Sequence, residues 1–389
     1  MFALIKRFFK QIKKIYKWGL DMNKKDVYIY YSPATDVTGK KLQEALGIQG
    51  GSKKPTGKKL VIGWGAKTNE ATKFPKGIKT LNHPDAIRTN RNKFEAMGVM
   101  ATALNVGNST HVPKYFTADR IKQELGAGNI ALPLIGRTKF HQGGKGFWPC
   151  PTTAQLDDAL TAGAHHFIQM LPIKEEYRLH VFDGVVVHAV KKVKRSDTEF
   201  EKAFIEDELA RQKVLAEKNN DPFDEATATL MLRRQAKNAT AGGANMLLRS
   251  NRLGWKFAIV KKYSKELGEV AAKAVKALGL DFGAVDCCLD SNDVPYVFEV
   301  NSGPGLEGTS FTKYVEAFKL IIGNKNEKKE EATIAAPAGP KSTKVSFSVE
   351  ADTLKRQLAD LQTMIDESTN DDELTTIKKL GAKLIFGGQ

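Results

Sequence analysis

The chain has 389 residues, with 60 Lys and Arg against 44 Asp and Glu, a formal net charge of +16. Its length and an apolar fraction of 41% allow two or three domains with a sizeable core. No uninterrupted apolar run reaches about 20 residues, so no transmembrane helix is expected, and three cysteines, two adjacent at Cys287 and Cys288, fit a reducing, cytoplasmic compartment and not a disulfide framework.

Residues 1–24 read as a basic amphipathic helix. Ile5, Phe8, Phe9, Ile12, Ile15 and Tyr16 recur at helical spacing, and Lys6, Lys10, Lys13 and Lys17 fall on the other side. Aromatics interleaved with lysines suit a peripheral anchor on an anionic membrane. Packing on the body or on a partner is the competing reading, and nucleic acid is a third anionic surface for so basic a chain, although none of the common nucleic-acid motifs is found.

Residues 25–108 read as an N-terminal α/β domain. DVYIYYSP and KLVIGWG are predicted strands, a polar Gly/Lys loop lies between them, and LNHPDAIRTNRNKFEAMGVMATAL is a turn entering a helix. Residues 109–172 add the extended segments VPKYFT, NIALPLIGR and AHHFIQML, with the glycine-rich loop HQGGKG among them. In 173–323, EYRLHVFDGVVVHAVKKVKR predicts a hairpin turning at Asp183-Gly184. A polar helical stretch follows, then the helix GEVAAKAVKAL, two apolar strands, and the helix FTKYVEAFKLII. Residues 324–345 read as a linker, and 346–389 as two short amphipathic helices, either folded back on the body or available for homo-oligomer or partner contact.

The chemistry concentrates in the two strands DFGAVDCCLD and YVFEVN. A hairpin centred between Asn292 and Asp293 sets Asp286 opposite Glu299, and residues two apart share a face, so Asn301 lies beside Glu299. Opposed like charges are destabilising, more so among apolar neighbours such as Val285, Leu289, Val297 and Val300. A divalent cation would offset them, and oxygen donors without His or Cys favour magnesium or manganese. A solvated sheet face is the bland alternative. The turn Ser302-Gly303-Pro304-Gly305 allows close backbone approach to an anion, and HQGGKG is a second candidate for handling phosphate.

With these residues in view, the chain resembles the ATP-grasp superfamily of carboxylate–amine ligases from about residue 80 to 322, nearest the ribosomal-protein glutamate ligase branch. The resemblance implies an α/β (α+β) ATP-grasp fold, with ATP held between two α+β subdomains and a small Rossmann-like domain in front. It implies magnesium or manganese held by Asp286, Glu299 and Asn301, and phosphates met by Lys93, Arg137 and the loop residues Gly143, Gly144, Lys145 and Gly146. Gln169, Met170 and Leu171 would lie along the adenine with backbone groups bonding its edge, and Glu176 would take the ribose hydroxyls. Arg178 would stand near the acceptor, and Arg249 and Asn251 would reach the γ-phosphate or acyl phosphate. Three departures stand out: Asn92 replaces the usual Asp before Lys93, Arg137 stands where most members carry Lys, and Ala284 occupies the site of an Arg found in D-alanine ligases. The last argues for the glutamate-ligase branch.

The implied activity is an ADP-forming ligase that activates a carboxylate as an acyl phosphate and joins it to an amine, on an amino acid or an acidic peptide. The rival readings are an ATP-binding assembly protein without turnover, and a membrane- or nucleic-acid-associated protein working through residues 1–20.

Overall fold

The computed structural model describes residues 23–69, 74–139, 146–241, 249 and 254–322. The basic N-terminal segment through residue 22, loop residues Gly143, Gly144 and Lys145, Asn251, the linker and the C-terminal tail lie outside the described residues.

The N-terminal sheet starts with β1 (Val27–Tyr30), and α1 (Val37–Leu46) returns the chain to β2 (Gln49–Gly51). Asp36 caps α1 through the Gly39 amide, and Gly47, in the left-handed region at φ 61°, ends it. With β3 (Leu60–Gly63) and β4 (Lys79–Leu81) the order is β2-β1-β3-β4, every pair parallel, as a small Rossmann-like layer requires. Two helices follow, α2 (Pro84–Arg91) and α3 (Lys93–Leu104). They break at Asn92, whose side chain caps α3 and leaves Lys93 as its first residue. Asn at this position thus does the capping that Asp would do.

The second sheet takes β5 (Tyr115–Thr117), β6 (Leu134–Arg137), β7 (Phe147–Cys150) and β8 (His166–Gln169) in the order β5-β8-β6-β7, antiparallel throughout. The helices α4 (Ile121–Gly126) and α5 (Thr153–Thr161) belong to this layer, whose core is Ile121, Ile130, Leu134, Cys150, Leu156 and Phe167.

The third sheet is the largest. β9 (Ile173–Phe182) and β10 (Val185–Lys194) form the predicted hairpin, with Asp183 and Gly184 at φ 48° and 72°, the conformation of a type I′ turn. The polar stretch is a pair of helices, α6 (Asp197–Asn219) and α7 (Glu225–Ala241), and α6 begins in a capping box of Ser196 and Glu199. β11 (Trp255–Ile259), α8 (Lys265–Ala277), β12 (Phe282–Asp290), β13 (Pro295–Asn301) and α9 (Gly308–Ile322) complete the described chain. The strand order β11-β10-β9-β12-β13 is antiparallel throughout, and β12 is buried along its whole length between two neighbours.

Two packing features depart from a division at residue 108. Met97, Met100 and Leu104 of α3 share a core with α8 and with Leu179, Val181 and Val285 of the third sheet. Helix α9 brings Tyr314 and Phe318 against Trp64 of the N-terminal sheet and Phe182 and Phe282 of the third, with ring centroids 5.2–6.3 Å apart. The N-terminal layer is therefore joined to the third sheet by a shared aromatic core. Sequence order alone hides this, because the partners from the two layers lie over 100 residues apart.

Candidate active site

Alternation along β9 and β12 divides the third sheet into two faces. Tyr177, Leu179, Val181, Val285 and Cys287 point into the core shared with α8 and α3. Glu176, Arg178, His180, Ala284 and Asp286 lie at the intervening positions, on the opposite face. This second face carries the candidate site.

Asp286 pairs with Glu299 across β12 and β13, as the sequence arithmetic expects, but by a different route. The turn is centred on Asn292 and not between Asn292 and Asp293: Leu289 pairs with Pro295, the Asp290 amide donates to the Val294 carbonyl, and Asp293 sits at φ 62°. Asp290 holds this turn by accepting from the amides of Asn292 and Val294. A bulge between Asp286 and Cys287 takes up Phe298 and restores the register at Glu299.

The offset of the two carboxylates comes from the protein's own cations. The guanidinium of Arg178 grips Asp286 with two bonds, Nε–Oδ1 2.6 Å and Nη2–Oδ2 2.8 Å. The Lys93 ammonium lies 3.2 Å from Glu299 Oε2. Asn301 Nδ2 donates to both, at 3.3 Å to Asp286 and 3.2 Å to Glu299. A divalent cation is therefore not required for charge balance, which corrects the expectation from sequence: opposed acids in an apolar hairpin can also be neutralised by basic side chains from other elements. Burial opposes ionisation of Glu299, yet Lys93, Asn301 and Arg137 together hold its carboxyl well below the usual range. Burial likewise disfavours a charged Arg178, and Asp286 more than reverses this.

The donor set still suits a hard cation. Two carboxylates and an amide that can present its oxygen after a half-turn are all-oxygen ligands. No cluster of three or more His, Cys, Asp or Glu fit to bind a metal occurs among the described residues. A metal here would need Asn301 or phosphate oxygens as further ligands.

Arg137, from the end of β6, stacks over Phe147 at 5.4 Å and is close enough to Glu299 for their charges to interact. Burial lowers its pKa, and Glu299 works against that. Gly146 stands at φ 63° with its carbonyl accepting from Thr138 N, and a Cβ there would meet the Thr138 side chain at 2.4 Å. Its glycine is thus required by closure of the β6–β7 hairpin. Gln169, Met170 and Leu171 form the half-buried connection from β8 to β9. The amides of Gln169 and Met170 already donate to the carbonyls of Lys114 and Pro133, so those two N–H groups do not serve an adenine edge as expected.

Glu176 is buried and paired with Lys192, and Arg249 Nε lies 3.9 Å from its other oxygen. Burial raises the Glu176 carboxyl despite these cations. Arg249 also donates to the Ile173 carbonyl at 2.9 Å and stacks over Trp255 at 4.8 Å. It therefore stands at the Glu176 end of β9, while Arg178 holds Asp286.

Gly303, in the turn after β13 that sequence reading assigned to phosphate approach, has a packing role. A Cβ on Gly303 would come within 2.9 Å of the Gly65 backbone, so both residues are glycine because two backbones touch. Beside them Asn82, fully buried at φ 57°, accepts from the amides of Asp281 and Phe282 and donates to the Phe282 carbonyl at 3.0 Å. Asn82, Lys192 and Phe257, whose ring lies under Arg178 at 4.8 Å, were not found from sequence. Asn82 carried one signal, its place before a His-Pro helix start; the other two became legible only once β10 and β11 were aligned.

Residues 207–323 match the sequence model of the RimK-like ATP-grasp domain. This segment holds Asp286, Glu299 and Asn301 as well as Arg249 and Asn251. Probable alpha-L-glutamate ligases of Psychromonas ingrahamii and Pseudomonas syringae pv. syringae are 40% identical over 92 residues and 44% over 62. These matches cover 23% and 16% of this chain, and the chain spans only 30% and 20% of the length of those relatives. Among solved structures, D-alanine–D-alanine ligase from Bacillus anthracis superposes with a TM-score of 0.48 at 11% identity, over 79% of this chain and 99% of that one. No helix among the described residues is long and apolar enough to cross a membrane.

Proposed function

We propose that this ATP-grasp protein is an ADP-forming carboxylate–amine ligase that uses Mg-ATP and takes L-glutamate or a glutamate-bearing peptide as substrate. The observation that carries the reading is the Asp286–Glu299 pair on one sheet face, ringed by Arg178, Lys93 and Arg137, inside or beside a RimK-like domain. The glutamate assignment is taken from the two probable glutamate ligases.

In this reading Asp286, Glu299 and Asn301 hold magnesium or manganese, which supplies positive charge at the phosphates when bound. Lys93 and Arg137, with Gly143, Gly144, Lys145 and Gly146, meet the phosphates. With the carboxylates engaged in holding a metal, Lys93, now paired with Glu299, and Arg178, now paired with Asp286, would be free to offer their charge to phosphate and substrate oxygens. Gln169, Met170 and Leu171 flank the adenine by side chains and carbonyls, and Glu176 faces the ribose. Arg178 stands near the acceptor, and Arg249 and Asn251 reach the γ-phosphate or the acyl phosphate. Catalysis is positioning and charge neutralisation, with no side-chain nucleophile.

The test is ADP release from Mg-ATP with L-glutamate, with mass spectrometry for glutamyl products. Glutamate-dependent ADP and a new amide are expected; nucleotide binding without turnover across amino acids and acidic peptides would favour the assembly reading. Residues 1–20 as a contact for an anionic membrane or nucleic acid, and 346–389 as an oligomer or partner contact, are tested by liposome and DNA co-sedimentation and by light scattering of truncated chains.

A further inference from the structure

Beyond Arg178 on the same face of the third sheet stand two histidines to which the site described above gives no role. His180 pairs with His188 across β9 and β10, and their rings lie 5.6 Å apart. On the other side its neighbour is Ala284, which in turn pairs with Asn301. A small residue thus separates the imidazoles from the carboxylate site. His180 is 2% exposed and its Nδ1 has no hydrogen-bond partner among the described residues; the same holds for the Tyr314 hydroxyl, on a ring 5.6 Å away. His188, paired with His180, is half-buried. Unpartnered buried polar atoms are costly in a fold and call for an explanation.

Their place along the strand supplies one, and it rests on the ligase reading. β9 runs from the 169–171 connection through Glu176 and Arg178 to His180. At about 3.3 Å per residue, His180 lies roughly 7 Å past Arg178, away from the connection. A nucleotide with its base at 169–171 and its phosphates at Asp286 places the acyl group, and the amine that attacks it, at the imidazoles. The aromatic cluster of Phe182, Phe282, Tyr314 and Phe318 closes the far end.

We propose that His188, backed by His180, takes the proton that the attacking amine loses as the amide bond forms. The amine, freed of its first proton to solvent, attacks the acyl carbon. The C–N bond forms, the C–O bond to phosphate breaks with its electron pair, and the nitrogen gives its second proton to His188. Both rings are neutral near neutral pH. Burial, then His188 and Arg178, lowers His180 to about 3, and burial, then Lys313, lowers His188. The groups facing the pair are Arg178 on β9 and Lys313 and Tyr314 on α9. An imidazolium beside two cations is short-lived and passes its proton to the departing phosphate.

The experiment compares His188→Gln with the parent chain in Mg-ATP and L-glutamate, once with glutamate as the amine and once with hydroxylamine, whose oxygen-bearing nitrogen, once attached to the acyl carbon, is acidic enough to shed its proton to water without a base. A fall of about 100-fold or more with the amine is expected, with a much smaller fall in glutamyl hydroxamate. Equal loss with both nucleophiles, or no loss, overturns the proposal while leaving the ligase reading intact. A parent chain inactive with both removes the ligase reading and this proposal together. Thermal unfolding checks the fold, and His188→Asn is read in the same way if the Gln variant does not fold.

Discussion

The two faces of the third sheet are made by the same strands and behave as opposites. On one, Leu179, Val181, Val285 and Cys287 are fully buried against α8 and α3. On the other, Glu176, Arg178, His180, Asp286, Glu299 and Asn301 form a ladder of charge and polarity within one side-chain width of that core. A period of two lets one residue carry stability and its neighbour carry chemistry, with each side chain standing on a backbone fixed by the other. The ionic face is stable because every acid in it has a basic partner delivered from elsewhere: Lys93 from α3, Arg178 and Lys192 from β9 and β10, Arg137 from β6.

The chemical face responds most strongly to a single change of charge. Glu299→Gln keeps shape and volume but removes the charge that Lys93 and Arg137 face. Its ADP-forming turnover should fall by about 100-fold or more, with a lower thermal midpoint as well because Lys93 loses its counter-charge; turnover near that of the parent would end the metal and phosphate assignment. On the opposite face, Leu179→Ala opens a cavity at a fully buried position. A loss of about 2–5 kcal/mol is expected in denaturant unfolding, with kcat/KM of the remaining folded protein near that of the parent. If both variants lost activity and stability alike, the two faces would not be separable.

The smallest effect concerns acid. His180 is lowered by burial from its ordinary 6.5 to about 3, so below 6.5 the unfolded chain binds a proton that the folded chain refuses until about 3. Protonation therefore favours the unfolded state, and stability falls as pH drops through that window. His180→Gln should flatten the slope in denaturant midpoints between neutral pH and about pH 5. A slope equal to the parent's would place the acid sensitivity in other groups.

Some of this was legible without coordinates. The Asp183-Gly184 turn, the alternation of β9 and β12 and the pairing of Asp286 with Glu299 follow from period and turn chemistry, which are local. The pairing holds although the turn is centred on Asn292, because a bulge at Phe298 restores the register, and bulges leave little trace in one sequence. Helix α6, with its Ser196–Glu199 cap, was likewise readable as a polar helix. What local pattern could not yield was who neutralises whom. Lys93 reaches Glu299 from over 200 residues away, and Arg178 meets Asp286 only because β9 and β12 are neighbours. The glycine at 303 suggests phosphate approach in the sequence, and the fold supplies a separate reason for it, since two backbones meet there and its partner Gly65 lies just past the end of β3 in another sheet. The sequence determined which side chains share a face, because that depends on the chain's own geometry. The tertiary structure decided their charge partners and their burial, because both depend on strand order and on packing between segments far apart in the chain.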